Sequence, residues 1–200
     1  MSSLIGQKAP DFKAQAVMEN DEIKPLSLHE YLAGSYGLIF FYPLDFTFVC
    51  PSEIIAFSNR MDKFKALNTK VIGVSVDSQF SHYAWRNTTP EKGGIGKINF
   101  PLVADLTKKI STDYGVLIEG AGVALRGSFL IDKAGNIRHY VINDLPLGRN
   151  VDESLRMVEA LQFHEAHGEV CPAGWKKGDA GMKASAAGVA DYLEGHAKKL

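Results

Sequence analysis

Three short, near-continuous runs of apolar and aromatic residues, at 38–42, 71–76 and 127–131, constrain this chain more than any other feature. Such runs read as buried strands, and together they predict the centre of a sheet. Between the first two, Ile54, Phe57, Met61, Phe64 and Leu67 recur at spacings of three and four. That period predicts a helix with one face laid on the sheet. Strand, helix and strand in this order make a βαβ crossover.

The rest of the chain extends the pattern. A second helix is expected at about 80–87, followed by a loop in which Gly93, Gly94 and Gly96 permit strained turns or a close backbone approach. Residues 100–104 read as extended and 107–114 as a short helix. A turn at 132–136 divides two strand-like runs, the second at 137–142, as in a hairpin. Asn150 and Glu153 have the spacing of a capping box, opening a helix along Val151, Leu155, Val158 and Leu161. Alternating strands and helices that end in a hairpin and a helix describe an α/β fold with a mixed sheet.

From about His167 the pattern changes to a glycine-rich segment around Cys171-Pro172-Ala173-Gly174-Trp175, with at most a short terminal helix. The expected division is a main domain at 1–166 and an arm at 167–200. An arm with little periodic structure cannot easily bury Trp175 by itself, so it is expected to pack on something else. A partner subunit is the favoured surface, because exchange of a terminal element is a low-cost route to a symmetric dimer.

Composition narrows the function. The 200 residues are 46% hydrophobic and 22% charged, ordinary values for a globular domain, and 22 basic against 23 acidic residues leave a net charge of -1. No basic block is present of the kind that neutralises phosphates, so nucleic acid is not an expected partner. The longest apolar stretch, 38–44, is far too short to span a bilayer. The first residues lack the basic region and apolar run of a signal peptide, which makes a cytoplasmic address the expectation. Two cysteines, Cys50 and Cys171, cannot build a disulfide scaffold or a four-thiolate zinc site. The six histidines read as surface or capping residues, and no His-Glu-x-x-His pattern accompanies His164 and His167.

Cys50 is the candidate nucleophile. It lies where the first strand passes into the first helix, and Pro51 suits the opening turn because its missing N–H needs no partner there. Unpaired backbone N–H groups and the helix dipole at that end favour an anionic sulfur. Glu53 opposes this if it faces the sulfur, so a cation is needed nearby; Arg126, at the start of a strand, and Arg149, before the last long helix, are the candidates. Thr47, three residues before Cys50, offers a hydroxyl that accepts from a thiol and donates to a bound oxygen. Thiolate, hydroxyl and guanidinium together suit attack on a peroxide O–O bond, with no metal required. The product, a sulfenic acid, condenses with a thiol to a disulfide. Cys171 is the other thiol, and the two could meet within one fold or across a dimer.

Pro43-x-x-x-Thr47-x-x-Cys50 resembles the active-site signature of the peroxiredoxins. The segments Phe48-Val49-Cys50-Pro51-Ser52-Glu53 and Gly168-Glu169-Val170-Cys171-Pro172-Ala173-Gly174-Trp175 are similar to those of the typical two-cysteine subgroup, which includes alkyl hydroperoxide reductase peroxidatic subunits and thioredoxin peroxidases. The resemblance covers nearly the whole chain. It implies a thioredoxin-like fold, in which Cys50 is the peroxidatic cysteine, Pro43 shields it, and Thr47 and Arg126 hold the peroxide. Tyr42 and Arg149 then support the site, Glu53 orients the arginines, and Cys171 is the resolving cysteine of the neighbouring subunit. Hydrogen peroxide and organic hydroperoxides are the implied substrates, and thioredoxin or a thioredoxin-like protein the implied reductant. No cofactor is implied, and the implied assembly is a homodimer that builds a decameric ring.

The subgroup pairs a Gly-Gly-Leu-Gly loop with a C-terminal Tyr-Phe motif in members that excess peroxide readily inactivates. Here the loop is Gly93-Gly94-Ile95-Gly96 and the tail reads Tyr192-Leu193, which implies intermediate sensitivity. Two other classes compete. A thiol-disulfide oxidoreductase normally places its cysteines as Cys-x-x-Cys, which is absent here, and a holdase-like or redox-signalling ring has no strong sequence mark.

Overall fold

The computed structural model describes residues 3–199. It divides into two compact units, Met1–Val151 and Asp152–Leu200. The boundary falls at the first residue of the last long helix, earlier than the change of sequence pattern near His167.

The first unit is built on a seven-stranded sheet. In spatial order its strands are β2 (Ile23–Ser27), β1 (Lys13–Val17), β5 (Leu102–Ala104), β4 (Thr69–Ser75), β3 (Tyr36–Phe41), β8 (Arg126–Ile131) and β9 (Ile137–Asn143). Pairing is parallel between β3 and β4 and between β4 and β5, and antiparallel elsewhere, so the sheet is mixed. The three apolar runs are β3, β4 and β8, side by side at its centre. Every residue of β3 and β8 is buried. Alternation along β3 sends neighbouring rings to opposite faces: Phe40 stacks on Phe57 at 4.3 Å, while Phe41 meets Tyr114 and Phe129 at 5.1 and 5.8 Å.

The helical period between β3 and β4 is carried by two helices, not one. Helix α2 (Cys50–Ser58) ends at Asn59, and α3 (Met61–Ala66) begins after Arg60, whose φ of -110° and ψ of 6° leave the helical region. Ser58 and Asn59 have short polar side chains that favour helix ends over interiors, and the Ser58 hydroxyl accepts from the backbone N–H of Asn99. Ile54, Phe57, Met61 and Phe64 are all buried, so the break leaves the apolar spacing intact. Helix α1 (Leu28–Leu32) and the β1–β2 hairpin precede this unit, and α4 (Gln79–Arg86) follows β4. Helix α5 (Lys109–Asp113) and a small ribbon, β6 (Leu117–Ile118) with β7 (Val123–Ala124), come before β8.

The glycine loop shows both uses expected of it. Gly93 and Gly96 have φ of +79° and +63°, and a Cβ on Gly94 would lie 1.9 Å from the Thr88 carbonyl oxygen. Trp85 Nε1 fastens the loop by donating to the Gly93 carbonyl at 3.0 Å. Gly94→Ala is therefore expected to displace the loop and lower the unfolding free energy by more than the roughly 1 kcal/mol scale of an ordinary exposed glycine substitution; denaturant unfolding checks it.

The second unit contains α6 (Val151–His167) from its second residue on, an extended stretch with one bridge between Val170 and Met182, and α7 (Ala186–His196), capped by the Ser185 hydroxyl, which accepts from the Gly188 N–H. Trp175 does not wait for a partner: it is 4% exposed and its ring lies 4.8 Å from that of Phe163 on α6.

Candidate active site

Strand β3 ends in the middle of the sheet, and the chain turns through 42–49 before entering α2. Cys50 occupies the first turn of α2 with Pro51 beside it, where backbone N–H groups lack intrahelical acceptors. Its sulfur is fully buried, 3.0 Å from Thr47 Oγ1 and 3.4 Å from Arg126 Nη1. The Thr47 hydroxyl also lies 2.8 Å from the Leu44 carbonyl oxygen. With one proton to give, Thr47 donates to Leu44 when it accepts from a thiol and turns that proton to the sulfur when the sulfur is anionic. Pro43 is buried in the same loop.

Glu53 lies one turn further along α2 and does not face the sulfur uncompensated. Arg126 Nη1 donates to its Oε2 at 2.6 Å, and Arg149 Nη2 to the same oxygen at 3.0 Å. Its Oε1 accepts from the Arg149 backbone N–H and Nε, each at 2.8 Å. Arg149 Nη1 donates to the carbonyls of Phe41 and Gly127, and Arg126 Nε to that of Leu145. All three side chains are at most 4% exposed. Burial pushes the Glu53 carboxyl up, but hydrogen bonds and charge from Arg149, joined by Arg126, outweigh it and hold the carboxyl below its ordinary range. Burial likewise draws Arg149 down from its usual value, and Glu53 opposes that. Two guanidiniums against one carboxylate leave one positive charge, which an anionic sulfur or a developing oxyanion balances.

Tyr42 is attached elsewhere than to the sulfur. Its hydroxyl donates to Asp45 Oδ1 at 2.8 Å, and the other Asp45 oxygen receives the Ser81 hydroxyl at 2.7 Å and His82 Nδ1 at 2.8 Å. The Asp45 N–H donates to Asp77, which also accepts from Ser75. Burial, and then Asp45, raise the Tyr42 phenol well above its ordinary value. This network pins the loop that carries Pro43 and Thr47 to α4. It corrects the reading of all six histidines as surface or capping residues, since His82 is 0% exposed. The sequence signal was present in the i, i+3 spacing of Gln79, His82 and Trp85-Arg86 on one amphipathic helix.

Cys171 lies in the second unit, and neither cysteine is in a disulfide. Its sulfur donates to the Ala160 carbonyl at 3.4 Å. Burial pushes the thiol up, with the positive charge of Arg156 acting the other way.

The family model described as AhpC/TSA matches residues 5–140. The chain belongs to the AhpC/TSA family. A second model, the C-terminal domain of 1-Cys peroxiredoxin, matches residues 160–195. The chain is 59% identical over 198 residues to alkyl hydroperoxide reductase C of Helicobacter pylori, covering 98% of this chain and 100% of that one. It is 54% identical to peroxiredoxin-2 of Macaca fascicularis, covering 96% of each. Among solved structures it superposes on reduced Plasmodium vivax 2-Cys peroxiredoxin with a TM-score of 0.94 at 48% identity, covering 96% of this chain and 100% of that one. With Enterococcus faecalis AhpC the TM-score is 0.79 at 40% identity, covering 86% and 100%.

The fold of this AhpC/TSA member is accordingly thioredoxin-like, a central mixed sheet flanked by helices with a C-terminal helical arm. Its activity is that of a thiol-dependent peroxidase of the typical two-cysteine peroxiredoxin type. Among the described residues no helix is long and apolar enough to cross a membrane.

Proposed function

We propose that Cys50 is the peroxidatic cysteine of this peroxidase and Cys171 the resolving cysteine, contributed by the partner subunit. The observation that carries the first role is the seat of the Cys50 sulfur, in the opening turn of α2 between the Thr47 hydroxyl and the Arg126 guanidinium. A thiolate there attacks one oxygen of hydrogen peroxide or a small organic hydroperoxide. The S–O bond forms as the O–O bond breaks, and Arg126 and Thr47 stabilise charge on the departing oxygen, which takes up a proton to leave as water or alcohol. Pro43 closes the loop side of the pocket. Arg149 and Glu53 hold Arg126 in place, and Tyr42 acts through Asp45 on the loop.

A fully buried sulfur in a helical turn cannot reach a second cysteine unless that turn opens. Cys50 as sulfenic acid then condenses with Cys171, releasing water, and a thioredoxin-type dithiol reduces the disulfide. Homodimers that build a decameric ring, and a cytoplasmic setting, complete this reading. Mixing Cys50→Ser subunits with Cys171→Ser subunits tests the pairing: treatment with peroxide is expected to cross-link one of each type. Failure of the mixture to cross-link while the wild type does so within single chains would overturn the intersubunit pairing.

Slow opening leaves the sulfenic acid exposed to a second peroxide, which takes it to sulfinic acid. Tyr192 stacks on His196 at 4.3 Å, whereas Leu193, in place of an aromatic residue, is 41% exposed. Sensitivity is therefore expected to be intermediate. Leu193→Phe should lower the peroxide dose that inactivates half the enzyme during turnover, as read by mass of the Cys50 peptide; an unchanged dose would contradict the role given to the tail.

A further inference from the structure

The resolving cysteine has a charged neighbour that the peroxide site does not use. On α6 the Arg156 guanidinium is clamped from two sides. Its Nε and Nη2 donate to the two carboxylate oxygens of Glu153 at 2.6 and 2.7 Å, and its Nη1 donates to the Trp175 carbonyl at 2.6 Å. One turn along the same helix, the Ala160 carbonyl accepts from the Cys171 sulfur. Both ends of the 171–175 turn are thus tied to one face of α6, Cys171 through Ala160 and Trp175 through Arg156. Burial holds Cys171 in its thiol form, and Arg156 is the charge that opposes this. Of the other charged groups of the unit, Lys177 approaches Glu159 at 4.0 Å, Asp179 accepts the Lys176 backbone N–H at 3.0 Å, and His164 Nδ1 faces the Glu169 carbonyl at 2.8 Å.

We infer that Arg156 is a positioning residue for the resolving step, holding the 171–175 turn on α6 and supplying the cation that balances the Cys171 sulfur as it loses its proton. The inference rests on the reading of Cys171 as the resolving cysteine. In that step the Cys171 thiol releases its proton and the thiolate attacks the sulfur of the Cys50 sulfenic acid. The S–S bond forms, the S–O bond breaks, and the departing hydroxide takes the proton to become water. No oxidant beyond the peroxide already consumed is required. A flexible ammonium supplies the same charge without the planar fork that grips Glu153 and the Trp175 carbonyl together, so charge and grip are separable by substitution.

Iodoacetamide alkylation of Cys171, in a Cys50→Ser background across about pH 7 to 10, reads the charge. Arg156→Gln is expected to move the midpoint up by about half to one pH unit, and Arg156→Lys to restore it. Disulfide formation after a pulse of hydrogen peroxide, in the two-cysteine protein, reads the grip. It is expected to slow about tenfold relative to Cys50 oxidation in Arg156→Gln, a loss equivalent to one such pKa-scale step. Glu153→Gln, which keeps the cation but removes its clamp, is expected to slow the disulfide without raising the midpoint, and serves where Arg156→Gln does not fold by circular dichroism. An unchanged midpoint and an unchanged disulfide rate in the folded variants would overturn the inference, as would a midpoint in Arg156→Lys shifted as far as in Arg156→Gln. Cys171→Ser separates the two levels. Sulfenic acid that fails to accumulate in it overturns the resolving role itself, whereas accumulation there with normal resolution in Arg156→Gln overturns the part assigned to Arg156 alone.

Discussion

Cys50→Ser is expected to bring peroxide turnover down to the uncatalysed rate while leaving the fold intact. A serine hydroxyl is close in size to the thiol and retains the Thr47 hydroxyl and Arg126 as hydrogen-bond partners, so the buried pocket at the start of α2 stays filled. The chemistry does not survive the exchange. Peroxide reduction needs an anionic nucleophile at neutral pH that can then carry the transferred oxygen, and an alcohol supplies neither. Peroxide consumption coupled to a dithiol reductant, with a thermal melt alongside, checks both halves. Residual turnover within tenfold of the wild type would place the reacting group elsewhere.

Glu53→Ala carries the second large effect, in stability and in rate together. The wild-type carboxylate accepts four hydrogen bonds from two buried guanidinium-bearing residues. Its removal leaves Arg126 and Arg149 side by side in a dry site without a counter-charge. Loss of one member of such a cluster costs about 3 to 5 kcal/mol. Arg126, freed from Glu53, also loses the aim that brings its Nη1 to the Cys50 sulfur, so the peroxide step is expected to fall by about tenfold or more. The same carboxylate makes stability depend on pH. Its folded-state pKa lies below the ordinary value of 4.5, so the stabilisation is complete above that value and is lost as pH falls through the folded-state pKa. Denaturant unfolding from neutral to acid pH should show this loss in the wild type and a smaller one in Glu53→Gln. Parallel curves for the two proteins would mean that other carboxylates govern acid unfolding.

The centre of the fold was legible because its strands are simple. β3, β4 and β8 are short, apolar and flanked by turn residues, and the amphipathic segment between the first two makes them a βαβ crossover. The β1–β2 hairpin escaped notice for the opposite reason. Lys13–Val17 has one β-branched residue, and β2 carries Pro25, which a central strand excludes but an edge strand such as this tolerates. The break between α2 and α3 was invisible to periodicity because both helices present their apolar residues in one continuous phase. In the site, Cys50, Thr47 and Glu53 could be placed from spacing alone, since all three fall within seven residues of one strand-to-helix junction. Arg126 and Arg149 could be nominated as cations but not brought near, because their approach depends on β8 lying next to β3. The Asp45–His82 pair is not legible in the sequence: an isolated aspartate in a loop and a histidine in a helix show their link only when the sheet brings α4 beside the loop.

The reactivity of Cys50 is tested most directly by stopped-flow reaction of the fully reduced protein with hydrogen peroxide, followed by tryptophan fluorescence from Trp85 and Trp175 and by non-reducing gel. A phase orders of magnitude faster than a free cysteine thiol is expected, absent in Cys50→Ser and ending in a Cys50–Cys171 cross-linked dimer. A reaction no faster than that of free cysteine, with both thiols oxidised at similar rates, would contradict it, because the first turn of α2, Thr47 and Arg126 would then confer no reactivity on the sulfur they surround.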